Sequence, residues 1–240
     1  MARSEPRGAA LMPEWLDLLL ENFADPDSAT KAWPLLRQGL WLTLQLTAVA
    51  LPLGMLAGLV IGMLYALGGR ITRAVLIVYI DLFRAFPVLV LLILVYVGLP
   101  FVGLTLPAFA AAVLALVLNN SGYFGEIFRA GLISIPYGQR EAAAALGLSP
   151  FRTMRLVVLP QAFRAIAAPL ASNALELVKA TSIASLASLP ELLRSARVAQ
   201  EQTYNPTPLM LAALMYFVML WPFARLVARL ERRMLARGAR

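Results

Sequence analysis

The chain has 240 residues, 60% of them hydrophobic and only 14% charged, with a formal net charge of +8, and its mean hydropathy of +0.75 belongs to a protein solvated by lipid. It contains no cysteine and no histidine, which excludes disulfides, thiolate or imidazole metal sites, cysteine nucleophiles and histidine general bases. The basic residues lie between long apolar runs, the pattern of a membrane protein's cytoplasmic edges, and no nucleic-acid-binding signature accompanies them.

Residues 1–37 read as an N-terminal segment ahead of the first span. Glu5, Glu14, Asp17, Glu21, Asp25 and Asp27 interrupt its short apolar runs, so no cleavable signal is expected. Trp15, Leu16, Leu19, Leu20 and Phe23 fit an amphipathic helix lying on a membrane surface, and a loosely ordered tail fits equally well.

A bilayer-crossing helix needs about 20 mostly apolar residues, because its backbone groups must be satisfied within the segment. Gln38 to Gly69 meets this. Within it Gly54, Gly58 and Gly62 form a stripe that lets another helix approach closely, for which bundle packing is the preferred reading. Between Arg84 and Glu126 lie 41 uncharged residues, too many for one span, with Gly98, Leu99, Pro100 and Pro107 as turn signals. The expectation is a second span from Ile71 to Phe83 leading into "FRAFP", with Asp81 and Arg84 as a membrane-edge ion pair, and a third from Leu106 to Arg129. A fourth follows Pro160, and a fifth lies in the uncharged stretch Gln202 to Ala224. Residues 38–231 are thus the transmembrane domain and 232–240 a basic tail.

Five spans put the chain ends on opposite sides of the membrane. Fourteen of the arginines fall on one side and six basic residues on the other, with Lys179 inside a span. The positive-inside rule then places the N-terminus outside and the C-terminus in the cytoplasm.

Between spans three and four comes "GQREAAAALGLSPF". The alanine run has maximal helix propensity, Gly147 ends it, and Ser149 with Pro150 supply the N-cap and first residue of the next helix. So short a helix is marginal alone and needs a surface to dock on, either its own bundle or a partner. Glu141 can also serve the helix dipole.

Glu141, Ala142, Ala143, Gly147, Val157, Leu159 and Pro160 resemble the EAA motif of bacterial ABC importer permeases. "FRAFPVLVLLILVYVGLP", "SGYFGEIFRAGLISIPYGQREAAAALGLS", "VLPQAF", "LVKATSIAS" and "PELL" are similar to the polar amino acid branch of that family, from about Gly39 to Arg233. The resemblance implies an all-α membrane protein of the type I importer kind, with about five transmembrane helices and a short cytoplasmic coupling helix between spans three and four. It further implies a bacterial inner-membrane location, two ABC ATPase subunits, an extracytoplasmic solute-binding protein, and a second permease subunit, the same or a paralogue. No cofactor is expected on this chain. It has no GxxxxGK[ST] phosphate loop, so ATP and magnesium would sit in the ATPase partner. Coupling to that partner would fall to Gly138, Gln139, Glu141, Ala142, Ala143 and Gly147.

Ionisable groups at membrane depth cost at least about 2.5 kcal/mol, so each asks for a reason. Ser172, Glu176 and Lys179 lie on one stripe of span four with Asn173 beside it; Asn119, Tyr123 and Glu126 share a face of span three. Together they offer a carboxylate and donors, what a small zwitterionic amino acid requires, which makes Asn119, Tyr123, Ser172, Asn173, Glu176 and Lys179 candidates for the substrate path. The plainer reading makes Glu176 and Lys179 a neutral pair and the asparagines ties between helices. Glu126 and Arg129 suit a structural pair or gate at the cytoplasmic edge. Relatives that carry basic amino acids have an acidic residue where this chain has Asn173, with Glu176 one turn on, so a basic substrate stays open.

The leading expectation is a permease subunit importing polar amino acids by alternating access. A non-transporting scaffold that docks a cytosolic protein is the first rival. An intramembrane enzyme using Glu126 and Glu176 is the second.

Overall fold

The computed structural model describes residues 22–238, with side chains described through Arg232. Within that range the chain is helical, in the order α1 (Pro26–Leu67), α2 (Arg70–Ala85), α3 (Val88–Ile93, continued by a π-turn Leu94–Gly98 and a 3₁₀ turn Leu99–Val102), α4 (Ala108–Ile133), α5 (Tyr137–Ala145), α6 (Pro150–Ala187), α7 (Leu192–Thr203) and α8 (Thr207–Gly238). Four helices, α1, α4, α6 and α8, are long and apolar enough to cross a membrane, and the bent pair α2–α3 can make a fifth. Of the proposed surface helix, Trp15, Leu16, Leu19 and Leu20 lie outside the described residues and only Phe23 falls within them.

Several boundaries differ from expectation for identifiable reasons. The first span does not begin at Gln38: α1 starts at Pro26, whose fixed φ suits the first helical position, and the Asp25 carboxylate accepts the Ser28 N–H at 2.8 Å. Residues 26–37 are therefore the first turns of the same helix. Asp25 is held below the ordinary carboxylate range first by the Ser28 side chain and then by that Ser28 N–H. The second span is broken, since α2 and α3 meet at 96°. Pro87 cannot donate to the helical ladder and drives Phe86 into the extended region (φ −76°, ψ 127°), so the run that reads as one apolar segment turns a corner. Asp81 and Arg84 do not pair; Arg84 lies over the Tyr123 ring, 5.6 Å from its centroid.

Span four begins at Pro150 and passes through Pro160. A π-turn at Met154–Val158, closed by Leu159 N–H to the Met154 carbonyl, absorbs the bond that Pro160 cannot make. The last span starts at Thr207, because Gln202 belongs to α7, a separate helix that the uncharged-run criterion overlooks.

The glycine stripe of α1 packs against α4. A methyl on Gly58 would stand 2.8 Å from the Gly125 nitrogen, and one on Gly62 2.6 Å from the Phe128 Cβ. Phe124, Phe128, Leu116, Leu46 and Leu177 fill the core between α1, α4 and α6. A second cluster, Ala32 and Leu36 with Leu192, Ala196 and Ala212, holds α7 against the N-terminal end of α1 and the start of α8. The outer faces are apolar: Val75, Val78, Phe217 and Val218 are each more than 59% exposed. That distribution suits lipid or a second subunit.

Candidate functional site

The connecting rod α5 is built by local rules. Its C-terminus is a complete Schellman motif: Gly147 N–H donates to the Ala144 carbonyl at 2.9 Å and Leu148 N–H to the Ala143 carbonyl at 3.1 Å, with Gly147 left-handed at φ 76°. Ser149 then caps the next helix, its hydroxyl accepting the Arg152 N–H at 3.4 Å. The rod is fastened at two adjacent residues in its N-terminal half. Arg140 Nη2 donates to the Leu132 carbonyl at 3.0 Å, and Gln161 of α6 reaches Gln139 at 3.4 Å.

Only one face of the rod is used within the chain. Ala143 is buried, whereas Gly138, Gln139, Glu141, Ala142 and Gly147 are exposed, flanked by Tyr137 and Leu146, exposed at 73% and 82%. Glu141 makes no hydrogen bond or ion pair among the described residues. It is the fifth residue of α5, past the first turn where a dipole contact is strongest. A Cβ on Gly138 would meet nothing within 4 Å, so nothing in this chain requires glycine there.

The polar faces do not converge on one cavity. Asn119 is turned toward the break between α2 and α3, where its amide donates to the Phe83 and Phe86 carbonyls at 2.9 and 3.1 Å. Those carbonyls are left without helical partners by the corner at Pro87, so Asn119 seals the interrupted helix end. Tyr123 faces the same way, its hydroxyl donating to the Arg84 carbonyl at 3.2 Å. Asn173 turns instead to Asn120, which the sequence reading leaves among the helix ties; the two amides meet at 3.3 Å and join α6 to α4.

Glu176 and Lys179 form a 2.6 Å ion pair on an exposed face. Ser172, partly buried on the same helix, makes no hydrogen bond among the described residues. This pair presents one carboxylate and one ammonium side by side, the mirror of a zwitterion's charges, on a surface the single chain leaves open. Glu126 and Arg129 pair through two hydrogen bonds of 2.6 and 2.7 Å, with the guanidinium over Tyr65 at 5.3 Å from the ring centroid. Both Glu126 oxygens accept from the guanidinium in a bidentate pair, which fits a structural lock better than an acid–base pair. Among the described residues no group of three or more Asp or Glu could hold a metal ion.

The residue that sequence reasoning leaves without a role is Glu191. It is fully buried, caps α7 by accepting the Leu193 and Arg194 N–H groups at 2.9 and 2.8 Å, and accepts the Tyr216 hydroxyl of α8 at 2.9 Å. Next to it Leu192 N–H donates to Thr43 of α1 at 3.1 Å. Burial pushes the Glu191 carboxyl above its ordinary range, against the pull of those hydrogen bonds. The sequence carries only half of the signal: Leu192, Ala196 and Ala199 fall on one helical face, but the residue before them is Glu191, not one of the Ser, Thr, Asp or Asn residues that mark an N-cap.

Residues 50–236 match the family described as binding-protein-dependent transport system inner membrane component. The chain is 36% identical over 188 residues to the arginine transport system permease protein ArtQ of Bacillus subtilis (strain 168), covering 78% of this chain and 86% of that protein. It is 34% identical over 206 residues to the glutamine transport system permease protein GlnP of Escherichia coli (strain K12), covering 85% and 94%. A crystal structure of an amino acid ABC transporter with histidines superposes with a TM-score of 0.78 at 38% identity, covering 87% of this chain and 98% of that one.

Proposed function

The chain belongs to the family of binding-protein-dependent transport system inner membrane components, and from that premise we infer that it is the membrane-spanning permease subunit of an ABC importer that moves polar amino acids inward. The observation that carries the coupling mechanism is the rod: a capped helix, fastened at two adjacent residues, whose Glu141, Tyr137 and Leu146 are exposed, Glu141 making no hydrogen bond or ion pair among the described residues. A separate ATPase subunit, holding ATP and magnesium, is the partner that face fits. Closure of two such subunits would push on α5, and the Arg140 and Gln161 contacts would pass the displacement to α4 and α6.

The exposed Glu176–Lys179 pair supports a path completed by a second permease subunit, the same or a paralogue. Substrate ammonium would exchange for Lys179 on Glu176 and substrate carboxylate for Glu176 on Lys179, with Ser172 and Asn173 as neutral partners. Asn119 and Tyr123 belong to the walls of that path, shaping it through the α2–α3 corner. A solute-binding protein would deliver substrate at the end of the bundle that carries α7, opposite the rod. On that polarity the rod would lie in the cytoplasm.

Proteoliposomes containing this chain, its ATPase and a binding protein test the reading. Labelled amino acid should accumulate only with ATP. Glu141→Arg should leave the chain folded and membrane-inserted while uptake and binding-protein-stimulated hydrolysis both fall by at least about tenfold, the loss of roughly 1.4 kcal/mol of interface free energy or more. Uptake that continues without nucleotide, or an ATPase that binds the Glu141→Arg chain as tightly as before, sinks the assignment; hydrolysis with no uptake under any condition favours the scaffold.

A further inference from the structure

Away from the rod and the Glu176–Lys179 face, a cavity of about 180 Å³ opens between α1, α6 and α8. Its floor is Leu51, Ala174, Val178 and Val227, and its mouth is framed by Leu44, Phe223 and Leu226, all exposed on the outer surface. The lining is apolar except for Thr47. Its hydroxyl is the one buried side-chain polar atom without a hydrogen-bond partner among the described residues. Thr43, one turn earlier, shows the ordinary outcome, since its hydroxyl donates to the Gly39 carbonyl at 3.0 Å. A buried donor left open calls for a partner from outside the chain.

The cavity continues upward along the same face of α1. Leu44 also lines a shallow groove with Arg37 and Trp41, at the end of the bundle opposite the rod. Trp41 is exposed, and indoles concentrate between headgroup and hydrocarbon. Arg37 makes no ion pair or hydrogen bond among the described residues. A cation, an exposed indole, an unpaired hydroxyl and an apolar slot therefore follow one another along one side of the helix. Arg37 and Thr47 are ten residues apart, about 15 Å along the axis, a span that an arginine side chain and a glycerophosphate together cover. The slot is slightly larger than the roughly 150 Å³ apolar cavity that holds a benzene-sized guest.

We propose that this face binds an anionic glycerophospholipid, with its phosphate on Arg37, an ester carbonyl accepting the Thr47 hydroxyl, and one acyl chain inserted between α1, α6 and α8. The inserted chain would fill a void that otherwise leaves the slot walls without contacts. It would also tie α8 to α1 at a place where the two helices are separated. The site stands apart from the transport reading and does not require it.

The test uses the full chain in its complex, in phosphatidylcholine nanodiscs containing phosphatidylglycerol with a diazirine on its acyl chain; adducts are mapped by mass spectrometry. Adducts are expected on residues 44–51, 171–178 and 219–227, at least about tenfold above those at the lipid-facing Val75 and Val78 of α2. Arg37→Gln should lower that labelling about fivefold, to the level of a phosphatidylcholine probe with the same chain. Ala171→Leu from the inside and Leu226→Trp at the mouth should each abolish the enrichment and leave α2 labelling unchanged; if the first fails to fold, the second, on an exposed rim, carries the test. Even labelling of α1, α2 and α8 means annular lipid only and overturns the proposal. So does a slot silent while α2 is labelled, the result expected if a second subunit covers the mouth.

Discussion

Glu191 illustrates how one side chain organises several elements. Its carboxylate serves the α7 N-terminus and Tyr216 at once, but in a site where desolvation outweighs those bonds and raises its affinity for a proton. A carboxyl that binds protons more tightly folded than unfolded makes the folded state less stable as pH rises from the ordinary glutamate value of 4.5 through the raised one, and the contribution is fully present only below 4.5. The melting temperature in detergent should therefore decline by a few degrees across that window. Glu191→Gln should remove this part of the slope. An unchanged slope in the variant would show that other carboxylates set it. Glu141 is the opposite case, a glutamate with no partner among the described residues, legible from the sequence by motif alone and made physical by its exposure.

At the level of elements, the boundaries show where pattern reading succeeds. The rod was legible because Gly147, Ser149 and Pro150 are punctuation whose meaning is local. The corner at Pro87 was not, because a mostly apolar stretch on one side and an uncharged run on the other look alike whether the axis bends or continues; what accompanies the bend is Asn119, 32 residues downstream of Pro87, sealing the freed carbonyls. The start of α1 was missed because charge density between 25 and 37 reads as surface. It hid a helix face whose Ala32 and Leu36 dock on α7. The glycine stripe gives the sharpest check of packing. Gly58→Ala forces a methyl against the α4 backbone and should destabilise by about 1–3 kcal/mol, read as a lowered melting temperature. Gly138→Ala, with open space around it, should melt with the parent protein. Equal melting of both variants and the parent would mean that α1 and α4 are not in backbone contact.

For the whole molecule, the number of spans and the all-helical class were readable from hydropathy, since lipid permits few other solutions. Which polar residues face one another was not. Helical periodicity puts Asn119 and Tyr123 on one stripe, and Ser172 and Glu176 on another, but only the packing angles determine that Asn120 and not Asn119 meets Asn173. The single subunit leaves Glu176 and Lys179 at its surface, where such a pair contributes about 0–1 kcal/mol to stability. Exchanging them, Glu176→Lys with Lys179→Glu, preserves the pair and should leave the melting temperature alone. Uptake in the reconstituted complex should nonetheless fall more than about tenfold, because a bound zwitterion would meet its charges in reversed order. Full uptake by the exchanged variant would reduce the pair to a surface contact.

Forty-two residues make α1 roughly 63 Å long, about twice the hydrocarbon thickness it has to cross. Gly58, where it touches α4 without an intervening side chain, is a natural fulcrum, and Pro26 lies some 48 Å away along the axis. A swing of a few degrees there, too small to disturb the packing around Phe124, sweeps the far tip and the α7 helix riding on it through several ångströms. Carried past Pro52 and Pro34 without bending, such a swing would work as a mechanical amplifier, with the small stroke at the rod's end of the bundle and the large one at the opposite surface.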